Sequence, residues 1–385
     1  MKPSALGWQL ALFTLIRTVV STAYRMVYPF LGVFRDGLGV PLDSLTYAVG
    51  LRSLVAGLLG PLLAAQGDLR GRKAGMLLGQ LTFLAGMSAV VLWPSFPTFV
   101  LALILSALGK ITFDPTMQAY IADRVPYSRR SVFLTVTEFS WSGAFLLGMP
   151  LVGWIIAERG WISPFYLLGG LALLATIIFY KSLPADPPRP AQRPNLLREL
   201  LASKPALAAL GLTFFSCVAN EFINLTFSIW LEERFALRLL ALGTTAAILG
   251  AAELSGEGLV AAFTDRLGKR RAIVLGLLAN CLAVIALPVA GGMSLLAAQV
   301  ALFLFYISFE FFIVSAIPLM TEVMPQARTT MMAGFFTSAS VSRALASLLV
   351  PALFGWGFWF VVLAAVAGNL LALAFVSRVR LAAEG

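Results

Sequence analysis

The chain has 385 residues; 59% are hydrophobic, only 12% are charged, and the formal net charge is +10. A soluble domain carries about 25% charged residues, so this chain cannot coat a water-facing surface and reads as a polytopic membrane protein. There is no histidine, which excludes His-based triads, metal sites and pH switches, and the two cysteines, Cys217 and Cys281, lie in apolar stretches where no thiolate zinc site can form.

A spanning helix needs about 20 mostly apolar residues. Twelve such stretches follow one another, at 8–33, 43–66, 74–93, 98–121, 131–156, 162–183, 205–231, 239–263, 272–290, 294–318, 330–354 and 357–378, with short connections that leave no room for a soluble domain. The first carries Arg17 and Arg25 and no small-residue cleavage site follows it, so it reads as a retained helix rather than a signal peptide. The second contains Arg52, and the loop after it reads Asp68-Leu69-Arg70-Gly71-Arg72-Lys73. In the fourth, Lys110 and Asp114 stand four residues apart and so share a helix face. The fifth holds Glu138 and then a Gly148-Met149-Pro150 run, read as close packing with a proline kink.

The longest connection, 184–204, is rich in proline and ends in an amphipathic Asn195–Leu201 stretch, a candidate interfacial helix and the seam between two halves, 1–183 and 205–385. Beyond it, the seventh span holds Glu221 between Asn220 and Asn224, and the one glycosylation-like triplet, Asn224-Leu225-Thr226, is buried in that span. The eighth holds Glu253 and Glu257, again four apart, and the loop after it reads Asp265-Arg266-Leu267-Gly268-Lys269-Arg270. Glu310 stands in the tenth among Phe309, Phe311 and Phe312, and Arg343 in the eleventh.

Orientation follows from Lys and Arg. With the N-terminus inside, 19 of them fall in inner loops and tails and four, Arg35, Arg159, Arg234 and Arg238, in outer loops. That asymmetry puts both termini in the cytoplasm, and the excess of Arg over Lys, 22 to 6, fits a GC-rich genome and so a prokaryotic plasma (inner) membrane. The asymmetry also explains the basic charge without nucleic acid.

The two loops share the pattern Asp-x-x-Gly-basic-basic at an offset of 197. Pro126 and Pro325, Pro150 and Pro351, and Gly153-Trp154 and Gly355-Trp356 keep nearly the same offset. Four ordered echoes indicate a duplicated six-helix unit. Parallel six-helix halves around a midplane site are a layout of secondary transporters.

On these residues the sequence resembles the major facilitator superfamily over essentially its whole length. Asp68, Gly71, Arg72 and Lys73 fit that family's signature between helices 2 and 3, although Ala64 and Leu69 replace its usual Gly and Arg. Asp265, Arg266, Gly268, Lys269 and Arg270 form the second copy, with Ala261 at the Gly position. The resemblance implies an all-α fold of twelve helices in two pseudo-symmetric bundles, and makes Asp68 a conformational switch residue. The fifth span half-matches the family's antiporter signature, with Met149 between Gly148 and Pro150 and Trp154 for the last Gly. The family's helix-4 arginine is missing; Leu103 stands in its place.

Leaving aside Asp43, Lys181 and Arg378 at span ends, eleven ionisable residues fall within spans, and none of the eleven in the third, sixth, ninth or twelfth. At about 2.5–3.5 kcal/mol each they would together cost roughly 30 kcal/mol if left alone in lipid, more than a typical net stability of about 5–15 kcal/mol. They must pair or face water, which points to a water-accessible cavity. Glu221, Glu310, Glu253, Glu257, Asp114 and Glu138 are the candidates for proton coupling or substrate contact, since a carboxylate in a dry or like-charged setting can load and release a proton. Arg25, Lys110, Arg17, Arg52 and Arg343, with Tyr24, Tyr28, Asn220 and Asn224, are candidates for substrate contact or charge pairs. The alternative for all of them is a structural ion pair.

The expected activity is secondary active transport of a small solute by alternating access, proton-coupled and an efflux antiporter. The family's drug exporters usually carry an acid in helix 1, where this chain has Arg17 and Arg25; that departure favours an anionic or zwitterionic substrate or a charge-pair gate. A proton symporter importing an organic anion or nutrient is the second reading, and a non-transporting membrane sensor a third. No nucleophile constellation, cofactor motif or metal cluster suggests an enzyme, and a monomer is the default for the resembled family.

Overall fold

Lipid offers the backbone no hydrogen-bond partner, so an apolar chain satisfies its own N–H and C=O groups by coiling into helix. The computed structural model of the chain is all-helical, with no strand among the described residues, which are 3–64, 66–125, 127–184, 200–237, 239–324 and 328–379. The first half comprises α1 (Pro3–Arg25), α2 (Leu31–Leu38), α3 (Leu42–Ala64), the single turn α4 (Gln66–Leu69), α5 (Arg72–Leu92), α6 (Phe96–Arg124), α7 (Tyr127–Gly143), α8 (Met149–Arg159) and α9 (Ser163–Ser182). The second comprises α10 (Lys204–Phe235), α11 (Leu239–Leu267), α12 (Lys269–Met293), α13 (Leu295–Val323), α14 (Arg328–Trp356) and α15 (Phe358–Val376). Among the described residues, eleven helices are long and apolar enough to cross a membrane. The more polar α1, with Arg17 and Arg25, supplies the twelfth of the two-bundle arrangement.

Two expected spans differ in detail. The first stops at Arg25, a cation in its last turn where it opposes the helix dipole. A turn over Met26–Phe30 separates it from α2. Pro29 explains the break, because a proline disfavours helical geometry in the residue before it. The fifth span is interrupted by a π-turn, Ala144–Gly148, in which the Met149 N–H donates to the Ala144 carbonyl. Pro150 follows at once, and the wider turn ahead of it moves the carbonyls its ring would otherwise meet. The half-matching Gly-Met-Pro run is therefore a π-bulge rather than a simple kink.

The duplication is visible in local geometry. Gly71 (φ 90°) and Gly268 (φ 79°) each precede a helix in backbone conformations that side chains resist. Ser95 and Ser294 each cap the next long helix, accepting from the amides of Thr98 and Ala297. A Cβ at Gly79 would lie 2.9 Å from the Phe113 amide nitrogen, and one at Gly276 would lie 3.0 Å from Phe312 Cα. In both halves, then, the third and fourth spans of the repeat meet at a glycine facing a phenylalanine.

Two compact units emerge: Met1–Pro41 with Leu51–Gln192 and Leu239–Ala247, and Leu42–Gly50 with Arg193–Arg238 and Ile248–Gly385. The first turns of α3 belong to the second unit and those of α11 to the first. Of the expected seam, residues 185–199 lie outside the described residues, as do Pro126 and Pro325.

Candidate functional site

In the first unit the charged residues of three spans converge. Arg17 of α1 is buried. Its Nη1 donates to Glu138 Oε1 (2.9 Å) and to the Thr137 carbonyl (2.9 Å), both on α7. Its Nη2 donates to Asp114 Oδ2 at 3.3 Å. Arg17 Nε lies 3.2 Å from Asp114 Oδ1 but is not aligned for a hydrogen bond, so this is an ion contact only. Lys110, one turn before Asp114 on α6, donates to it at 2.6 Å and to Ser21 Oγ at 3.1 Å. The i, i+4 pairing expected from sequence is therefore present, and Arg17 joins it as a third member. Glu138 also accepts from Gln118 Nε2 at 3.1 Å.

Further along α1, the Arg25 guanidinium lies 4.2 Å from the Trp141 ring centroid and 3.5 Å from that of Phe145, and donates to the Trp141 carbonyl at 3.0 Å. Lys110 Nζ lies 5.2 Å from the Trp141 centroid, so one indole serves two cations. Arg52 is wholly buried. It donates to the Tyr24 carbonyl (2.7 Å) and the Tyr28 hydroxyl (2.9 Å), and its guanidinium stacks 4.1 Å from the Tyr24 ring. Cations in this unit are thus held by carboxylates at one end of α1 and by aromatic faces at the other.

Within its spans the second unit carries an excess of acid. Glu221 on α10 is fully buried, and Asn224 Nδ2 donates to it (3.3 Å) and to Asn220 Oδ1 (2.8 Å). Tyr306 on α13 donates to Asn224 Oδ1 at 2.6 Å. Arg343 Nε stands 3.7 Å from Glu221 Oε2, an ion contact without hydrogen-bond alignment. The structure thus places Arg343 beside Glu221. Glu253 and Glu310 are buried and Glu257 half-buried. A Cβ at Gly256 would come within 2.7 Å of Glu310 Cβ and 3.0 Å of the Ile307 carbonyl. This glycine therefore lets α11, with Glu253 and Glu257 on either side of it, approach α13 at Glu310.

At the loops, Arg72 donates to Asp123 Oδ2 at 3.2 Å, and Lys269 to Glu322. These pairs are equivalent in the repeat. Lys73 donates to the carbonyls of Tyr180 (2.7 Å) and Leu183 (2.5 Å), closing the end of α9. Arg266 and Arg270 are exposed. The side chains of Asp68 and Asp265 lie outside the described residues.

Several residues escaped the sequence reading. Trp141 and Phe145 carry no charge to flag them, and Tyr306 and Gly256 act only through a neighbouring helix. Asp123 and Glu322 were legible, since their offset of 199 follows that of the duplicated loops. In the uncharged spans, Asn369 Nδ2 donates to Asn280 Oδ1 (2.8 Å), and Asn280 Nδ2 donates to Ser308 Oγ (3.1 Å). Among the described residues, no group of three His, Cys, Asp or Glu could hold a metal ion.

Comparison with known proteins adds the lineage. The profile of the Major Facilitator Superfamily matches residues 13–347. An uncharacterized MFS-type transporter of Bacillus subtilis, YceJ, is 24% identical over 282 residues, 72% of each chain. A multi-drug resistance efflux pump PmrA homolog of Lactococcus lactis is 27% identical over 164 residues, 41% of this chain and 40% of that protein. Among solved structures, a bacterial homolog of the human lysosomal transporter Spinster, in an inward-facing conformation, superposes with a TM-score of 0.75 at 16% identity, covering 98% of this chain and 95% of that one.

Proposed function

Because this chain belongs to the Major Facilitator Superfamily and is a multi-pass membrane transporter, we propose that it is a proton-coupled carrier, running as an antiporter that exports an anionic or zwitterionic small solute. The observation that carries the reading is the unequal charge of the two buried clusters. In the first unit Arg17 and Lys110 balance Asp114 and Glu138, while Arg25 and Arg52 lie on aromatic rings. Arg25 and Arg52 add two further cations to the spans of this unit, which supports an anionic or zwitterionic solute. In the second unit, the spans hold Glu221, Glu253, Glu257 and Glu310 against Arg343. Holding three buried carboxylates and a half-buried one ionised in spans that carry one cation is costly, and taking up protons relieves that cost.

Export is supported by the name of the Lactococcus relative, an efflux pump. The Lys and Arg asymmetry of the loops supports cytoplasmic termini in a plasma membrane. The division at 184–204 fits a carrier of two six-helix bundles acting as a monomer.

The test is transport in proteoliposomes with an imposed pH gradient. A panel of organic anions, amino acids and lipophilic cations is offered. Accumulation of an anion or zwitterion against its gradient, in the compartment that is losing protons, is expected. Uptake only of lipophilic cations would overturn the substrate class, and accumulation on the proton-receiving side would replace antiport with symport.

A further inference from the structure

The two halves of the repeat differ at one place where their sequences correspond. In the first, Lys73, the second residue after Gly71, reaches to the end of α9, bonds the Tyr180 and Leu183 carbonyls, and lies 4.9 Å from the Tyr180 ring centroid. The lysine fills the space between the loop and the last helix of that half. In the second, Arg270 is the second residue after Gly268, and Val376 and Val379 stand at the end of α15 as Tyr180 and Leu183 do at the end of α9. Arg270 does not close that gap. Arg270 and Arg271 are exposed and enter no ion pair among the described residues. A cavity of about 510 Å³ opens there instead, and its lining includes Arg270 and Arg271 together with an apolar wall of Leu319, Val376 and Val379.

We propose that this cavity holds the headgroup of an anionic phospholipid, with its phosphate on Arg270 and Arg271 and the start of an acyl chain on Leu319, Val376 and Val379. Lys269 also lines it but is neutralised by Glu322, so the two arginines set its charge. Guanidinium groups grip phosphate oxygens in pairs. The volume falls in the range of about 300–1,000 Å³ usual for small-ligand sites. The apolar wall continues into the membrane-crossing helices α13 and α15. A free phosphate would engage the arginines and leave that wall unused, whereas a phospholipid uses both. Basic pockets beside spanning helices favour anionic headgroups for this reason.

The test is native mass spectrometry of the full chain released from nanodiscs of phosphatidylglycerol and phosphatidylcholine in equal parts. Wild type is expected to retain phosphatidylglycerol preferentially. Arg270→Gln with Arg271→Gln should weaken that retention by about 30-fold, as loss of two cations at an anionic surface implies. Arg159→Gln with Lys181→Gln, cations elsewhere, should leave it unchanged. Equal retention of the two lipids by wild type, which needs no variant, would overturn the proposal. So would full retention by the arginine variant, or displacement of the lipid by millimolar inorganic phosphate, which would assign the site to a free anion.

Discussion

Replacing Asp114 by Asn tests the buried charge cluster of the first unit most sharply. Its carboxylate takes Lys110 at 2.6 Å and Arg17 at 3.2 Å, with side chains at most 15% exposed. The neighbouring Glu138 side chain is 44% exposed, so solvent screens its share. Without Asp114, two cations compete for that one screened carboxylate. Breaking a buried pair by removing one partner costs about 3–5 kcal/mol. Lys110→Met alone should cost less, because Asp114 keeps Arg17. In the double variant Arg17 and Glu138 form a balanced pair, so the double should cost less than the sum of the singles, with a coupling of about 1–3 kcal/mol. Thermal and denaturant unfolding of the purified protein in detergent measure all three. A Asp114→Asn protein within about 0.5 kcal/mol of wild type, or an additive double, would refute the cluster as a linked unit.

Three further outcomes follow from the geometry. Tyr306→Phe removes the donor to Asn224 and should lower stability by about 1–2 kcal/mol in the same assay. Gly256→Ala should cost about 1–3 kcal/mol and slow transport, since a Cβ meets the Ile307 carbonyl and Glu310; wild-type turnover at wild-type stability would contradict the close approach of α11 and α13. Because both native cysteines are buried, an impermeant maleimide should leave the native chain unlabelled in intact cells, label Arg159→Cys, and reach Lys181→Cys only after the cells are broken.

Much of the architecture was legible because the bilayer enforces it. Apolar runs of helix-spanning length have one solution in lipid, and the duplicated loops located the internal repeat before any coordinates. The ends of elements were less legible. The run through Met26–Phe30 is nearly all apolar, so hydropathy carried the first span past Arg25, and only Pro29 marked the stop. The π-turn at Ala144–Gly148 is set by backbone geometry that composition does not encode. At the candidate site, charge counting found Arg17, Lys110, Asp114 and Glu221 because ions in a membrane are conspicuous. It passed over Trp141, Phe145 and Tyr306, whose partners come from other helices. It also treated Lys73 and Arg270 as equal members of a motif, although one closes a helix end and the other borders an open cavity.

Proton coupling through the acidic cluster of the second unit is most directly tested by recording interior pH in proteoliposomes while a transported solute is added, for wild type and Glu310→Gln. Substrate-driven proton movement in wild type, opposite in direction to the solute and lost in the variant, is the predicted result. Solute flux without proton movement, unchanged in Glu310→Gln, would contradict the coupling and reduce the buried acids to structural partners.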